Sequence, residues 1–98
     1  MPKILKPDEL TRELSKLEGW RRKGKFIGKT YEFEEFMEGI EFIERVAEVA
    51  EKEEHHPDIH VRYTIVTLEL QTHSEGGVTS WDIDLARAID KVAGPRRP

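Results

Sequence analysis

Ile59-His60-Val61-Arg62-Tyr63-Thr64-Ile65-Val66-Thr67-Leu68-Glu69-Leu70-Gln71-Thr72-His73 holds two alternating patterns in opposite phase. Ile59, Val61 and Tyr63 alternate with polar residues, and so do Val66, Leu68 and Leu70. Successive side chains of a strand point to opposite faces, so one unbroken strand would put half of these apolar residues on the wrong side. A tight hairpin turning at Thr64-Ile65 removes the conflict. It pairs Tyr63 with Val66, Val61 with Leu68 and Ile59 with Leu70, and all six then share one face. Thr64 and Ile65 are poor residues for a primed turn; a bulged single strand is the alternative.

Upstream, a helical period runs from Glu34 to Glu54, with Phe36, Ile40, Ile43, Ala47 and Ala50 as its expected buried stripe. Pro57 ends it, because the residue before a proline is pushed out of the helical region. Trp20 to Arg22 and Phe26 to Phe33 read as two short strands turning at Lys23-Gly24. Pro7-Asp8-Glu9-Leu10 opens a first helix, Leu10, Leu14 and Leu17 give its apolar face, and Gly19 stops it. Downstream, Ser74-Glu75-Gly76-Gly77 is a loop. Thr79 caps a last helix with Asp82 at its third position. Trp81, Leu85, Ala88, Ile89 and Val92 are expected to line its apolar face, and Gly94-Pro95 ends it. The order predicts an α+β fold, a four-stranded antiparallel sheet with three helices packed on one face (α-β-β-α-β-β-α). His60, Arg62, Thr67 and Glu69 fall on the other sheet face.

The chain has 98 residues, and residues 1–98 are read as a single domain. A domain this small buries only roughly 60–65% of its unfolded surface, so its core is thin and subunit contacts would support it. There is no cysteine, which excludes disulfides, thiolate nucleophiles and cysteine-ligated zinc and fits a reducing, cytoplasmic setting. No apolar run approaches the ~20 residues that span a bilayer. The start, Met1 to Lys6, is too short and polar for a signal peptide. Charged residues make up 37% of the chain with a net charge of -4, against about 25% charged in an average domain. That is a well-solvated surface of the kind found in thermostable proteins. It is not the clustered basic footprint of a nucleic-acid binder, and the basic tail Arg96-Arg97 is too short to act as one.

Extending the hairpin register toward its open end sets His56 opposite His73, with His55 beside it. Three of the four histidines thus converge on one corner. Glu51 precedes His55 by one helical turn. Glu51, Glu53 and Glu54 crowd a helix C-terminus, where the dipole disfavours acids. Such local conflicts concentrate at functional sites. Asp82 can orient an imidazole and hold its tautomer. Neutral imidazole offers one donor and one acceptor, imidazolium two donors. A pair in different protonation states can deliver one proton while removing another, which an elimination of water requires. Simpler roles exist for each residue: His55-His56 as a helix end, His73 as surface, Asp82 as a cap, Glu51 as a solvated acid, Trp20 and Trp81 as core. Three histidines and a carboxylate also suit zinc, but no HExxH spacing is present. Adjacent histidines reach one metal poorly from regular structure, so no metal site is expected.

Glu51, three residues, His55-His56-Pro57, five residues, Tyr63, nine residues, His73, eight residues, Asp82: this set resembles the signature of the pterin-4a-carbinolamine dehydratases. Leu17-Glu18-Gly19-Trp20, Phe33-Glu34-Glu35-Phe36, Val46-Ala47, Ala50-Glu51, Thr72-His73, Gly77, Thr79 and Leu85-Ala86 agree with it, so the resemblance covers nearly the whole chain. The family often has an Asn-Lys type turn after the tyrosine, where this chain has Thr64-Ile65. The resemblance implies a hydro-lyase that converts 4a-hydroxytetrahydrobiopterin, or a related pterin, to quinonoid dihydropterin and water. It implies His55, His56 and His73 as acid and base, and Glu51, Pro57, Thr72, Ser74, Glu75 and Asp82 around the substrate. It also implies no cofactor and a homodimer or homotetramer. The competing expectation is a non-catalytic, oligomeric protein-binding module, since the animal members also act as a dimerisation cofactor.

Overall fold

Residues 2–94 are described by the computed structural model; Pro95 and the Arg96-Arg97 tail lie outside them. Helix α1 (Pro7–Leu14) begins with proline in its first turn, where no intrahelical donor is needed. The Glu9 carboxylate accepts the Lys6 N–H at 2.8 Å. The helix stops at Leu14 rather than running to Gly19, and tighter turns carry the chain through the buried Leu17 to Trp20. Strands β1 (Arg21–Lys23) and β2 (Phe26–Glu32) follow. Lys23 pairs with Phe26, so the turn is Gly24-Lys25, one residue later than expected, with the positive φ of 62° on Gly24. Helix α2 (Phe36–Glu53), strands β3 (Asp58–Arg62) and β4 (Ile65–Leu70), and helix α3 (Ser80–Ala93) complete the order.

The sheet is antiparallel with strand order β1-β2-β4-β3, so the two hairpins join through β2 and β4. Ile27, Tyr31, Val66, Leu68 and Leu70 face inward and are almost wholly buried. Leu10, Phe42, Val46, Ile83, Leu85, Ala86 and Ile89 from the three helices join them in one core. On the outer face Thr30 and Thr67 hydroxyls meet at 3.1 Å, and His60 Nε2 lies 3.2 Å from Glu69 Oε1. Two carboxylates tie α3 to the sheet side. Asp90 accepts from Trp20 Nε1 at 3.0 Å, Lys29 Nζ at 2.9 Å and the Tyr31 hydroxyl at 2.5 Å. Asp82 does the same at the other end of the helix, as described below. Among the described residues no helix is long and apolar enough to cross a membrane.

The helical stripes differ from expectation. In α2 the buried residues are Gly39, Phe42, Val46 and Ala50, while Phe36 is 46% exposed and Ala47 is exposed. A Cβ on Gly39 would sit 3.4 Å from Val66 and 3.5 Å from Phe33. The helix therefore approaches the sheet along a glycine, and Phe42 stacks near Tyr31 and Phe33 with centroids 4.6 and 5.3 Å away. In α3 Trp81 is not core but 48% exposed, and Asp82 takes the buried position beside it.

The hairpin forms, with a different register. Arg62 pairs with Ile65, Val61 with Val66 and Ile59 with Leu68, so the turn is Tyr63-Thr64. A slip of two residues keeps every side chain on its face, which is why alternation alone does not distinguish the two registers. Tyr63 leaves the shared face, enters the turn with φ 53°, and is 75% exposed. The left-handed region disfavours side chains with a Cβ by roughly 1–2 kcal/mol, and asparagine visits it more readily. Tyr63→Asn is therefore expected to stabilise the fold by about 0.5–1 kcal/mol. A urea midpoint that falls in this variant would contradict the assignment of strain to Tyr63.

Candidate active site

α2 ends on Glu54, which caps it in the left-handed conformation, φ 54° and ψ 39°. A residue with a Cβ is unusual there, and strained backbone of this kind gathers at functional sites. The turn lets the His55 N–H bond Ala50 O at 3.1 Å and sends two successive imidazoles to different surroundings. His55 turns inward, its side chain 14% exposed, and its Nε2 lies 2.5 Å from Asp82 Oδ1. His56 turns outward, 61% exposed, with Nε2 2.6 Å from Glu51 Oε2. Glu51 is itself 77% exposed, so that pair is a solvated one of small energetic weight.

The Asp82 side chain is wholly buried, and both of its oxygens are occupied. Oδ2 accepts the Thr79 N–H at 2.8 Å and the Thr72 hydroxyl at 2.9 Å. The Thr72 and Thr79 hydroxyls meet at 2.7 Å, and Thr79 Oγ1 also accepts the Trp81 N–H at 3.2 Å. A carboxylate has no proton to give, which orders the donors. Thr72 donates to Asp82, Thr79 donates to Thr72, and His55 donates from Nε2. The neutral His55 imidazole then carries its proton on Nε2 and its lone pair on Nδ1. The capping box expected at Thr79 and Asp82 is present, and the same carboxylate that caps α3 also orients His55.

His55, His56 and Pro57 line an open cleft of about 370 Å³ from the α2–β3 connection, and Thr72, His73 and Ser74 line it from the segment after β4. That volume lies in the range of small-molecule sites. The second wall is set by the pairing of Thr72 with Gly77, which closes a short loop over His73 to Gly76 with φ 74° on Gly76. All three expected histidines therefore reach one cleft, but not through the ladder. The observed register, continued, sets His56 opposite Gln71. Of the other expected residues, Pro57, Thr72 and Ser74 line the cleft, whereas Glu51 and Glu75 are absent from its lining. Asp82 sits behind His55 rather than on the wall. Glu54, Asp58 and Trp81 line the cleft without having been expected there. For Trp81 the usable signal was its neighbour: a helix face that buries Asp82 turns Trp81 away by about 100°. Among the described residues no three His, Cys, Asp or Glu side chains stand together as a metal site.

A family model described as pterin 4 alpha carbinolamine dehydratase matches residues 3–92. The chain belongs to this family. Provisionally named pterin-4-alpha-carbinolamine dehydratases are similar to it over nearly their full length. One from Sulfolobus acidocaldarius is 43% identical over 88 residues, covering 90% of this chain and 97% of the relative. One from Nocardia farcinica is 45% identical over 90 residues, covering 92% and 95%. Among solved structures, a transcriptional coactivator/pterin dehydratase from Brucella melitensis superposes with a TM-score of 0.90 at 35% identity, over 94% of this chain and all of that one. A pterin dehydratase-like protein described as a RuBisCO assembly factor of the alpha-carboxysome shares the fold, with a TM-score of 0.69 at 23% identity, over 81% of this chain and 94% of that one. In this member of the pterin-4a-carbinolamine dehydratase family, the cleft carries three imidazoles, one of them fixed by a buried carboxylate.

Proposed function

We propose that this chain dehydrates a 4a-hydroxytetrahydropterin, 4a-hydroxytetrahydrobiopterin or a close relative, to the quinonoid dihydropterin and water. The observation that carries the reading is the imidazole of His55, lining a cleft with its Nε2–H committed to Asp82. In the reaction the C4a–O bond breaks and the hydroxyl leaves as water after gaining a proton. N5 loses its proton, and the electron pair of that N–H bond becomes the new C4a=N5 double bond. His55, with Nδ1 as its lone pair and a carboxylate behind it, is suited to take the N5 proton. His73 and His56, on the same cleft, supply the proton to the leaving hydroxyl. Pro57, Thr72 and Ser74 hold the ring, and Glu51 steadies His56 from outside the cleft. Glu75 has no place in this scheme.

On this reading the enzyme needs no cofactor or metal, since only protons move. It forms one domain over residues 1–98, acts in the cytoplasm and works as a homodimer or homotetramer. The open edges β1 and β3 and the exposed Phe36, Met37 and Val61 support an assembled state. A second reading, a protein-binding module without catalysis, draws support from the assembly-factor description of one protein with this fold. Stopped-flow dehydration of a synthetic 4a-hydroxytetrahydropterin separates the two. A rate above the spontaneous background, saturating with substrate, is expected. A rate equal to background at micromolar protein would leave the binding-module reading in front.

A further inference from the structure

The first turn of α3 delivers two neighbouring side chains to the site in opposite senses. Asp82 goes inward to hold His55, and Trp81 goes outward, 48% exposed, onto the cleft. Its ring stands near the His55 imidazole, centroids 6.2 Å apart and nearly perpendicular at 68°. The anchor is firm, because the Trp81 N–H is fixed to Thr79 Oγ1 inside the buried threonine–carboxylate network. Among the described residues, Trp81 is the only aromatic side chain other than the imidazoles to line this cleft. The other tryptophan, Trp20, is 3% exposed and bound to Asp90. A half-exposed tryptophan on a preorganised turn is an apolar π-face that water solvates poorly. A flat conjugated heterocycle covers such a face well, in the way bases stack on aromatic side chains.

We infer that Trp81 is the platform on which the pterin bicycle stacks, a positioning residue that holds the flat ring beside the His55 imidazole. This rests on the pterin reading of the cleft and adds the residue that binds the ring. Stacking of this sort acts equally on bound substrate and transition state, so it belongs in KM and leaves kcat alone. The placement also excludes one alternative, since a core role for Trp81 is incompatible with its exposure.

The test measures steady-state dehydration and, by titration calorimetry, the binding of oxidised pterin, which has no 4a hydroxyl to lose. Both are run on the parent, Trp81→Leu and Trp81→Phe, with light scattering and thermal melts alongside. Trp81→Leu is expected to raise KM and the pterin Kd about tenfold with kcat within about twofold, and Trp81→Phe should recover most of the loss. Parent-like KM and Kd in Trp81→Leu overturn the stack while leaving the dehydratase reading intact. So does a Phe variant no better than the Leu variant, or a change confined to oligomeric state. A parent that neither binds oxidised pterin nor accelerates dehydration overturns both.

Discussion

His55→Ala is expected to slow dehydration by roughly 10²-fold or more, the usual weight of a positioned acid or base. His73→Ala should fall in the same range. The double variant should lose less than the product of the two, because groups that act in one proton relay are non-additive. The stability costs should differ. His73 is exposed, so its removal leaves the melt unchanged. His55 is the donor to one oxygen of a buried carboxylate, so its loss costs about 1–3 kcal/mol unless water from the cleft replaces it. His60→Ala is the control. His60 is 62% exposed and lies on the outer sheet face beside Glu69, so its rate should match the parent after the spontaneous dehydration is subtracted. Parent-like rates in both folded cleft variants would remove the catalytic assignment and bring the binding-module reading forward.

Much of the fold was legible because its signals are local. Alternation in Ile59 to Leu70 yields two strands and their shared face. Thr79 with Asp82 marks the start of α3, and Pro57 the end of α2. The features that were not legible share a physical cause: a third element decides them. Pairing of β2 with β4 brings together residues 33 to 43 positions apart, and no local period reports it. The α2 stripe is centred on Gly39, whose value is its missing side chain against Val66 and Phe33. A reading that scores apolar side chains passes over it. Asp82 and Trp81 exchange the places hydrophobicity assigns them, because three donors converge on the carboxylate from His55, Thr72 and Thr79. The three histidines do line one cleft, yet the ladder expected to bring them together is two residues out of register. Their meeting depends on where α2 ends and where the bridge of Thr72 to Gly77 closes.

Asp82→Asn should separate the two duties of that carboxylate more cleanly than any other change. The site presents a donor to each oxygen of Asp82: His55 Nε2–H to one, the Thr72 hydroxyl and the Thr79 N–H to the other. An amide has one oxygen and one NH2 group. If the NH2 faces Thr79, two donors oppose each other in a fully buried place, at a cost of about 1–3 kcal/mol. If it faces His55, the imidazole can accept on Nε2 by moving its proton to Nδ1, which costs little. The second arrangement is therefore expected, and it removes the Nδ1 lone pair on which the proposed proton transfer depends. We expect kcat to fall by roughly 10²–10⁴-fold, as when a catalytic imidazole is held in its other tautomer, with KM within about threefold and the cap of α3 retained. Asp82→Ala should lose both duties. It removes the Asp82 half of the capping box and strands its donors, for about 2–4 kcal/mol in all, or a fall in Tm of roughly 10–25 °C for a chain of this size. Nitrogen chemical shifts of His55 read the tautomer directly: the proton on Nε2 in the parent, on Nδ1 in Asp82→Asn. An Asp82→Asn protein that keeps the parent's kcat with the proton moved to Nδ1 would show that the tautomer of His55 does not matter to the reaction, and the base would have to be sought at His56 or His73.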